Sequence, residues 1–211
     1  MIQNNTIEIT GDGSCTLFVP DLNEHYHSVN GARQESLHVY IEAGLNACPL
    51  SSVSVLEIGF GTGLNALLTW EESKKRSLHI NYTTIEKYPL TEELIVRLNY
   101  EVHPFHAAAW EAWERIDACF SIYKMNADLL TCSFPGLYDV VYYDAFAPDK
   151  QPDVWSQEIF DRIFEVINPR GILTTYCAKG EVRRMLQRTG FTVERIPGPP
   201  GKREMLRARK A

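Results

Sequence analysis

Short apolar, β-branched runs recur along this chain, separated by segments in which apolar residues return at helical spacing. Val53–Ile58, Leu78–Ile85, Ser121–Met125, Tyr138–Tyr143 and Gly171–Tyr176 read as strands buried in a sheet. Between them, Leu64, Ala66, Leu67, Leu68 and Trp70 follow a helical period, and Thr91 with Glu93, Leu94, Ile95 and Leu98 reads as a capped helix. Ala107–Arg115 is predicted as a short helix that carries Trp110 and Trp113 into the core. Val154–Ile167 is predicted as a helix stopped by Asn168-Pro169-Arg170-Gly171, and Lys179–Arg188 as a basic helix. Phe191–Ile196 and Glu204–Arg209 are strands joined by Pro197-Gly198-Pro199-Pro200-Gly201, a link short enough to make the last pair antiparallel. Strands alternating with helices predict a Rossmann-like α/β fold, with seven strands in a mostly parallel sheet and an antiparallel last strand.

The first fifty residues follow a different pattern. Ile7–Thr10 and Thr16–Val19 flank Asp12-Gly13 and predict a hairpin. Asp21–Arg33 is a polar loop. Gln34–Ala47, with Leu37, Tyr40, Ile41 and Leu45 on one face, is a helix that ends at Cys48-Pro49. The expected organisation is an extension over residues 1–50 on a domain over residues 51–211, forming one globular unit.

Composition narrows the class. The 211 residues are 45% hydrophobic and 23% charged, as in a soluble globular domain, and no run of eighteen apolar residues occurs. Five widely spaced cysteines without a Cys-x-x-Cys pair, and an N-terminus without a basic and apolar leader, predict a cytoplasmic protein without a disulfide framework. Net charge is −6, but from Arg170 onward there are eleven Lys or Arg against three Glu. That segment therefore stands at plus eight and the remainder at minus fourteen, which fits either a basic face for RNA or an ordinary solvated surface.

The most informative stretch is Glu57-Ile-Gly-Phe-Gly-Thr-Gly-Leu-Asn65, at the junction of the first domain strand and its helix. Glycines at alternate positions let a ligand lie against the main chain beyond the strand ends. A dinucleotide fingerprint places its third glycine one residue later than Gly63, and Glu57 would repel phosphate while suiting a ligand with an ammonium group. Glu-x-Gly-x-Gly-x-Gly resembles the first motif of S-adenosylmethionine-dependent methyltransferases. Three further carboxylates close later strands. Glu86 follows the second, where it would accept ribose hydroxyls. Asp128 follows the third, placed for an adenine amine or as a plain turn residue, and Asp144 opens Asp-Ala-Phe-Ala-Pro after the fourth. His25 and His27 lack a third ligand nearby, so no metal is expected.

Those two motifs, with Tyr26-His-Ser-x-x-Gly-Ala-Arg-Gln-Glu-Ser36 and Lys202-Arg203-Glu204-Met205-Leu206, resemble the methyltransferase domain of the bacterial tRNA wobble-uridine modification enzyme MnmC. The similarity spans nearly the whole chain. It implies the seven-stranded methyltransferase sheet and transfer of methyl from S-adenosylmethionine to the 5-aminomethyl group of a wobble (thio)uridine in tRNA. The resemblance is to the stand-alone, MnmD-like form, in which the flavin-dependent oxidoreductase half is expected to be absent, so no flavin is expected in this chain. Pro-Gly-Pro-Pro-Gly stands before Lys202 where the family would have Gly-Phe-Gly.

The resemblance also implies roles. Asp144 would orient the amine and take its proton, with Phe146 stacking on the base or covering the methyl group, and Pro148 fixing the turn. Glu57, Gly59, Phe60, Gly61, Thr62, Gly63 and Asn65 would hold the methionyl end of the cofactor, Glu86 the ribose, and Asp128 with Ala127 the adenine. Tyr26, Ser28 and Glu35 would line the pocket. Lys202, Arg203, Arg207, Arg183 and Arg184 would meet phosphates of the tRNA anticodon region. A separate oxidoreductase or upstream wobble-uridine enzymes would act on the same tRNA. The alternative is a methyltransferase or aminopropyltransferase of this fold acting on a small-molecule amine.

Overall fold

A computed structural model describes residues 5–211 of the chain. Strands β1 (Thr6–Ile9), β2 (Cys15–Val19) and β3 (Glu24–His25) form an antiparallel three-stranded sheet; the β1–β2 pair is the predicted hairpin. The following helix is not continuous. It begins as α1 (Ala32–Ser36), widens into a π-helical stretch over Leu37–Glu42, and ends in a 3₁₀ turn at Leu45–Ala47. Insertions of this kind re-aim side chains and are frequent at functional sites.

The main body runs β4 (Ser52–Ile58), α2 (Leu64–Arg76), β5 (His79–Ile85), α3 (Glu92–Ile95), α4 (His103–Ala107), β6 (Trp113–Arg115), β7 (Phe120–Met125) and β8 (Tyr138–Tyr143). It continues with α5 (Gln157–Val166), β9 (Ile167–Thr175), α6 (Gly180–Thr189), β10 (Thr192–Pro197) and β11 (Glu204–Arg209). These strands form one sheet in the order β10-β11-β9-β8-β4-β5-β7-β6. Neighbours from β9 to β7 are parallel, and β11 is antiparallel to both β9 and β10, as the short last link requires.

The sheet has eight strands rather than the expected seven, because the predicted helix over Ala107–Arg115 does not exist as such. α4 stops at Ala107, Glu111 takes a positive φ of 59°, and Trp113, Glu114 and Arg115 pair antiparallel with Tyr123, Ile122 and Ser121. Trp110 and Trp113 have helical spacing, but Trp113 is 54% exposed on the edge strand and packs beside Tyr123, so only Trp110 joins the core. Val154–Ile167 likewise splits into a 3₁₀ turn (Pro152–Trp155) and α5, whose N-cap Ser156 accepts from the Ile159 N–H.

Each sheet face has its own apolar layer, fixed by the period of two along the strands. In β4, Val53 and Val55 pack with α2 and with Val39, Tyr40 and Ile41, while Leu56 and Ile58 pack with α5 and α6. Glu57 and Asp144 therefore lie on the α2 side, in phase with Val55 and Tyr142. The N-terminal segment shares that core, and Arg33 also forms an ion pair with Glu71 of α2.

Candidate active site

At the carboxyl ends of β4, β5, β7 and β8 lies a cavity of about 800 Å³, the size of a cofactor or drug-sized ligand site. The glycine turn forms its floor. Gly59, Gly61 and Gly63 all have positive φ (91°, 50° and 77°), so the sequence spells out a backbone that other residues would strain. At Gly61 the need is also steric, since a Cβ would lie 2.8 Å from the Tyr26 ring. Tyr26 in turn meets Phe146 edge to face, with ring centroids 5.0 Å apart. These two rings join the N-terminal segment to the loop after β8.

Glu86 sits where β5 ends. Its Oε2 accepts the Gly61 N–H at 3.0 Å and its Oε1 the Tyr88 N–H at 2.8 Å, tying the glycine turn to the next strand. Burial raises its pKa while these bonds oppose the rise. Each oxygen retains a lone pair for a ligand hydroxyl. Asp128 lines the cavity one strand further on; its ion pair with Lys87 at 2.8 Å keeps its pKa below the ordinary value.

Asp144, after β8, is held through both of its oxygens. Tyr40 donates to its Oδ1 at 2.5 Å and Asn65 to its Oδ2 at 2.8 Å. Burial nevertheless carries its pKa to about 7, against the pull of both hydrogen bonds. A carboxylate of this kind can accept a proton near neutrality.

Glu57 lies elsewhere. It is fully buried between β4 and α2, accepts from Thr84 at 2.7 Å, and does not line the cavity. Burial pushes its carboxyl well above the ordinary range. The negative charge expected to meet a ligand ammonium is thus neither presented to the cavity nor favoured by its surroundings. Its connection to the site runs through Asn65, which packs between Glu57 and Asp144.

Gly59, Phe60, Gly61, Thr62, Asn65, Glu86, Asp128, Asp144, Phe146, Tyr26, Ser28 and Lys202 all line the cavity. Gly63, Pro148 and Arg203 do not. Gly63 is the N-cap of α2, and Pro148 lines a separate surface depression with Trp155, Arg184 and Arg188. Arg203 is exposed, whereas Arg207 is occupied by Glu194 at 2.6 Å. His25 pairs with Glu8 at 3.0 Å, and among the described residues no group of three or more His, Cys, Asp or Glu converges as a metal site.

The sequence reading missed three features of this site. In the sequence Tyr40 reads as one residue of an apolar stripe; a buried tyrosine hydroxyl needs a partner, and that need is the available signal. Lys202 points inward to Glu35, at 2.7 Å, rather than out to solvent. Lys150 donates to the carbonyls of Leu22 and Asn23 at 2.9 and 3.3 Å, fastening the loop after β2 to the loop after β8.

The model of a family described as S-adenosyl-L-methionine-dependent methyltransferase matches residues 100–211, more than half of the chain. This chain belongs to that family. As a methyltransferase it uses S-adenosylmethionine. It is 30% identical over 230 residues to the tRNA 5-methylaminomethyl-2-thiouridine biosynthesis bifunctional protein MnmC of Cupriavidus metallidurans, covering 96% of this chain and 33% of that protein. It is 32% identical over 207 residues to the protein of the same name from Azoarcus sp. BH72, covering 87% and 32%. The methyltransferase thus spans about one third of the length of the curated relatives it matches. Among solved structures, it resembles MNMC2 from Aquifex aeolicus with a TM-score of 0.83 at 25% identity, over 97% of this chain and 70% of that one. A spermidine synthase from Thermotoga maritima shares the fold, with a TM-score of 0.59 at 11% identity over 99% and 72%.

The cavity suits the family's cofactor on its own geometry. A side chain at Gly61 would meet Tyr26, and Glu86 offers acceptors one strand away from the glycine turn.

Proposed function

We propose that this methyltransferase N-methylates the 5-aminomethyl group of a wobble uridine in tRNA, giving 5-methylaminomethyl-(2-thio)uridine. The observation that carries the reading is Asp144, half-buried in the cavity wall, held through both oxygens and poised near neutrality. Further support comes from relatives named for 5-methylaminomethyl-2-thiouridine biosynthesis, similar over 87–96% of this chain.

S-adenosylmethionine, when bound, supplies a methyl group on a sulfonium. The chain's residues must hold the amine in line with that methyl and leave its nitrogen neutral, so catalysis is mostly positioning. Asp144 accepts a hydrogen bond from the amine, directs the lone pair and takes the proton released as the N–C bond forms and the C–S bond breaks. Tyr40 and Asn65 prevent the carboxylate from turning away. Gly59, Phe60, Gly61 and Thr62 would hold the methionyl portion, with Asn65 beside them, and Glu57 supports Asn65 from behind. Glu86 takes the ribose hydroxyls; Asp128 with Ala127 takes the adenine. Phe146 and Tyr26 frame the uridine, and Ser28 orders the adjoining loop through its N–H bond to Glu35. Arg203, with Arg184 on α6, meets backbone phosphates around an anticodon base drawn into the cavity.

A cytoplasmic setting belongs to the same proposal. Its support is five free cysteines and, among the described residues, no helix long and apolar enough to cross a membrane. Separate enzymes would install and process the aminomethyl group.

Incubating tRNA from cells lacking this methylation with the protein and S-adenosylmethionine, followed by nucleoside mass spectrometry, tests the reading. Conversion of aminomethyl to methylaminomethyl nucleosides, lost in Asp144→Ala, is expected. Methylation of free small amines without any conversion of RNA would overturn the tRNA assignment.

A further inference from the structure

Of the two neighbouring basic residues, Arg203 faces solvent, while Lys202 turns into the cavity. The turn before it accounts for this. Gly201 has φ +88°, and a Cβ there would lie 2.3 Å from Asn30 Nδ2, so the turn docks closely on the N-terminal segment. Lys202 Nζ then lies 2.7 Å from Glu35 Oε1 and 4.0 Å from the centroid of the Tyr176 ring. Glu35 is itself buried, with only 10% of its side chain exposed, and its second oxygen accepts the Ser28 N–H at 2.7 Å. Tyr176 is fixed by donating to the Ala145 carbonyl at 2.8 Å, beside Asp144. An ammonium is thus anchored in the catalytic cavity by a carboxylate and an aromatic face, a setting that holds a charge and not merely a side chain.

The chemistry needs such a charge. Asp144 beside the acceptor amine favours the protonated ammonium, which cannot attack. A second positive charge in the same cavity acts in the opposite sense on the amine and favours the ionised form of Asp144. Resting on the amine-acceptor reading above, we infer that Lys202, held by Glu35 and Tyr176, is a positioning residue that keeps the acceptor amine neutral and Asp144 ionised. The other titratable groups facing this cluster are Tyr40 from the π-helical stretch, Glu24, Tyr26 and His27 from the N-terminal segment, and Cys177 beyond β9. Glu57 lies behind Asn65, and Lys150 and Glu86 stand further along the cavity. Of the cluster's two charges, Glu35 acts on Asp144 the more strongly and raises its pKa, and Lys202 counters it by lowering it.

The signs are opposite for the two partners. Removing the Lys202 charge raises the pKa of both amine and Asp144, so the ascending limb of the pH–rate profile moves to higher pH. Removing the Glu35 charge lowers both, and the limb moves to lower pH.

The test is the single-turnover rate of methylation of an anticodon stem-loop RNA containing 5-aminomethyluridine, at saturating S-adenosylmethionine, from roughly pH 5.5 to 9. In Lys202→Met the limb should rise by on the order of one pH unit; in Glu35→Gln it should fall; in Lys202→Arg it should stay near the wild-type position. Misfolding cannot produce shifts of opposite sign in the two variants. An active wild-type enzyme with unmoved limbs would overturn this inference alone. So would a Lys202→Met variant whose only change is a shallower dependence of RNA affinity on salt, since that outcome assigns Lys202 to a phosphate. Inactivity of the wild-type enzyme on the aminomethyl RNA would overturn the amine-acceptor reading and this inference with it.

Discussion

Tyr40 and Asp144 are 104 residues apart, yet the tyrosine hydroxyl donates to Asp144 Oδ1 at 2.5 Å. The bond joins the π-helical stretch of the N-terminal segment to the loop after β8. It supports the carboxylate form of Asp144 against a burial that favours the acid. Tyr40→Phe removes this donor while keeping the ring packed against Tyr142. Methylation should slow by roughly tenfold at neutral pH and its pH–rate limb should move upward, while S-adenosylmethionine affinity stays near wild type. Isothermal titration beside the rate profile checks both parts; a matched loss of binding and rate would count against this role.

Glu86 holds Gly61 and Tyr88 through their N–H groups and leaves acceptors for the ribose. Glu86→Ala should weaken cofactor binding by roughly 10- to 100-fold, the loss of one or two charge-assisted hydrogen bonds. Unchanged affinity, measured by equilibrium binding, would place the ribose elsewhere.

Gly61 and Tyr26 are a sterically coupled pair. Gly61→Ala places a methyl 2.8 Å from the Tyr26 ring in a backbone at φ +50°, so the ring or the turn must move. Cofactor affinity should fall by about tenfold or more, and adding Tyr26→Ala should recover part of that loss. A double-mutant cycle measures the coupling, and strict additivity would mean that the backbone conformation alone is responsible.

Acid should loosen the protein by way of two histidines held neutral in the fold. Burial depresses His27 and His106 to about 4 from their ordinary value of 6.5, so both are neutral in the folded protein. The unfolded chain takes up these protons first. Their contribution is complete above pH 6.5 and is lost as pH falls from there through 4. Shifts of this size correspond to roughly 3 kcal/mol at most for each histidine, enough to lower the melting temperature by several degrees. His106→Gln, which keeps a donor for the Thr62 carbonyl, should flatten the decline seen by scanning calorimetry between those pH values.

The sequence by itself determined the α/β alternation, the antiparallel last strand and the strand-end positions of Glu86, Asp128 and Asp144. Each of these depends on period, chain direction and backbone freedom, which are local. Local period also misled: two tryptophans at helical spacing made a strand look like a helix, because packing of Trp113 against Tyr123 on the sheet edge lay outside the window. Tertiary structure alone decided the charges and partners at the site. Glu57 and Asp144 close neighbouring strands with the same functional group. One is sealed beneath α2 and the other opens on the cavity between Tyr40 and Asn65. Lys202 and Arg203 are adjacent in the chain, yet the Gly201 turn sends the first to Glu35 and leaves the second in solvent. Whether a carboxylate is charged, and whether a lysine meets phosphate or an active site, depends on desolvation and on neighbours remote in sequence, and these exist only once the chain has folded.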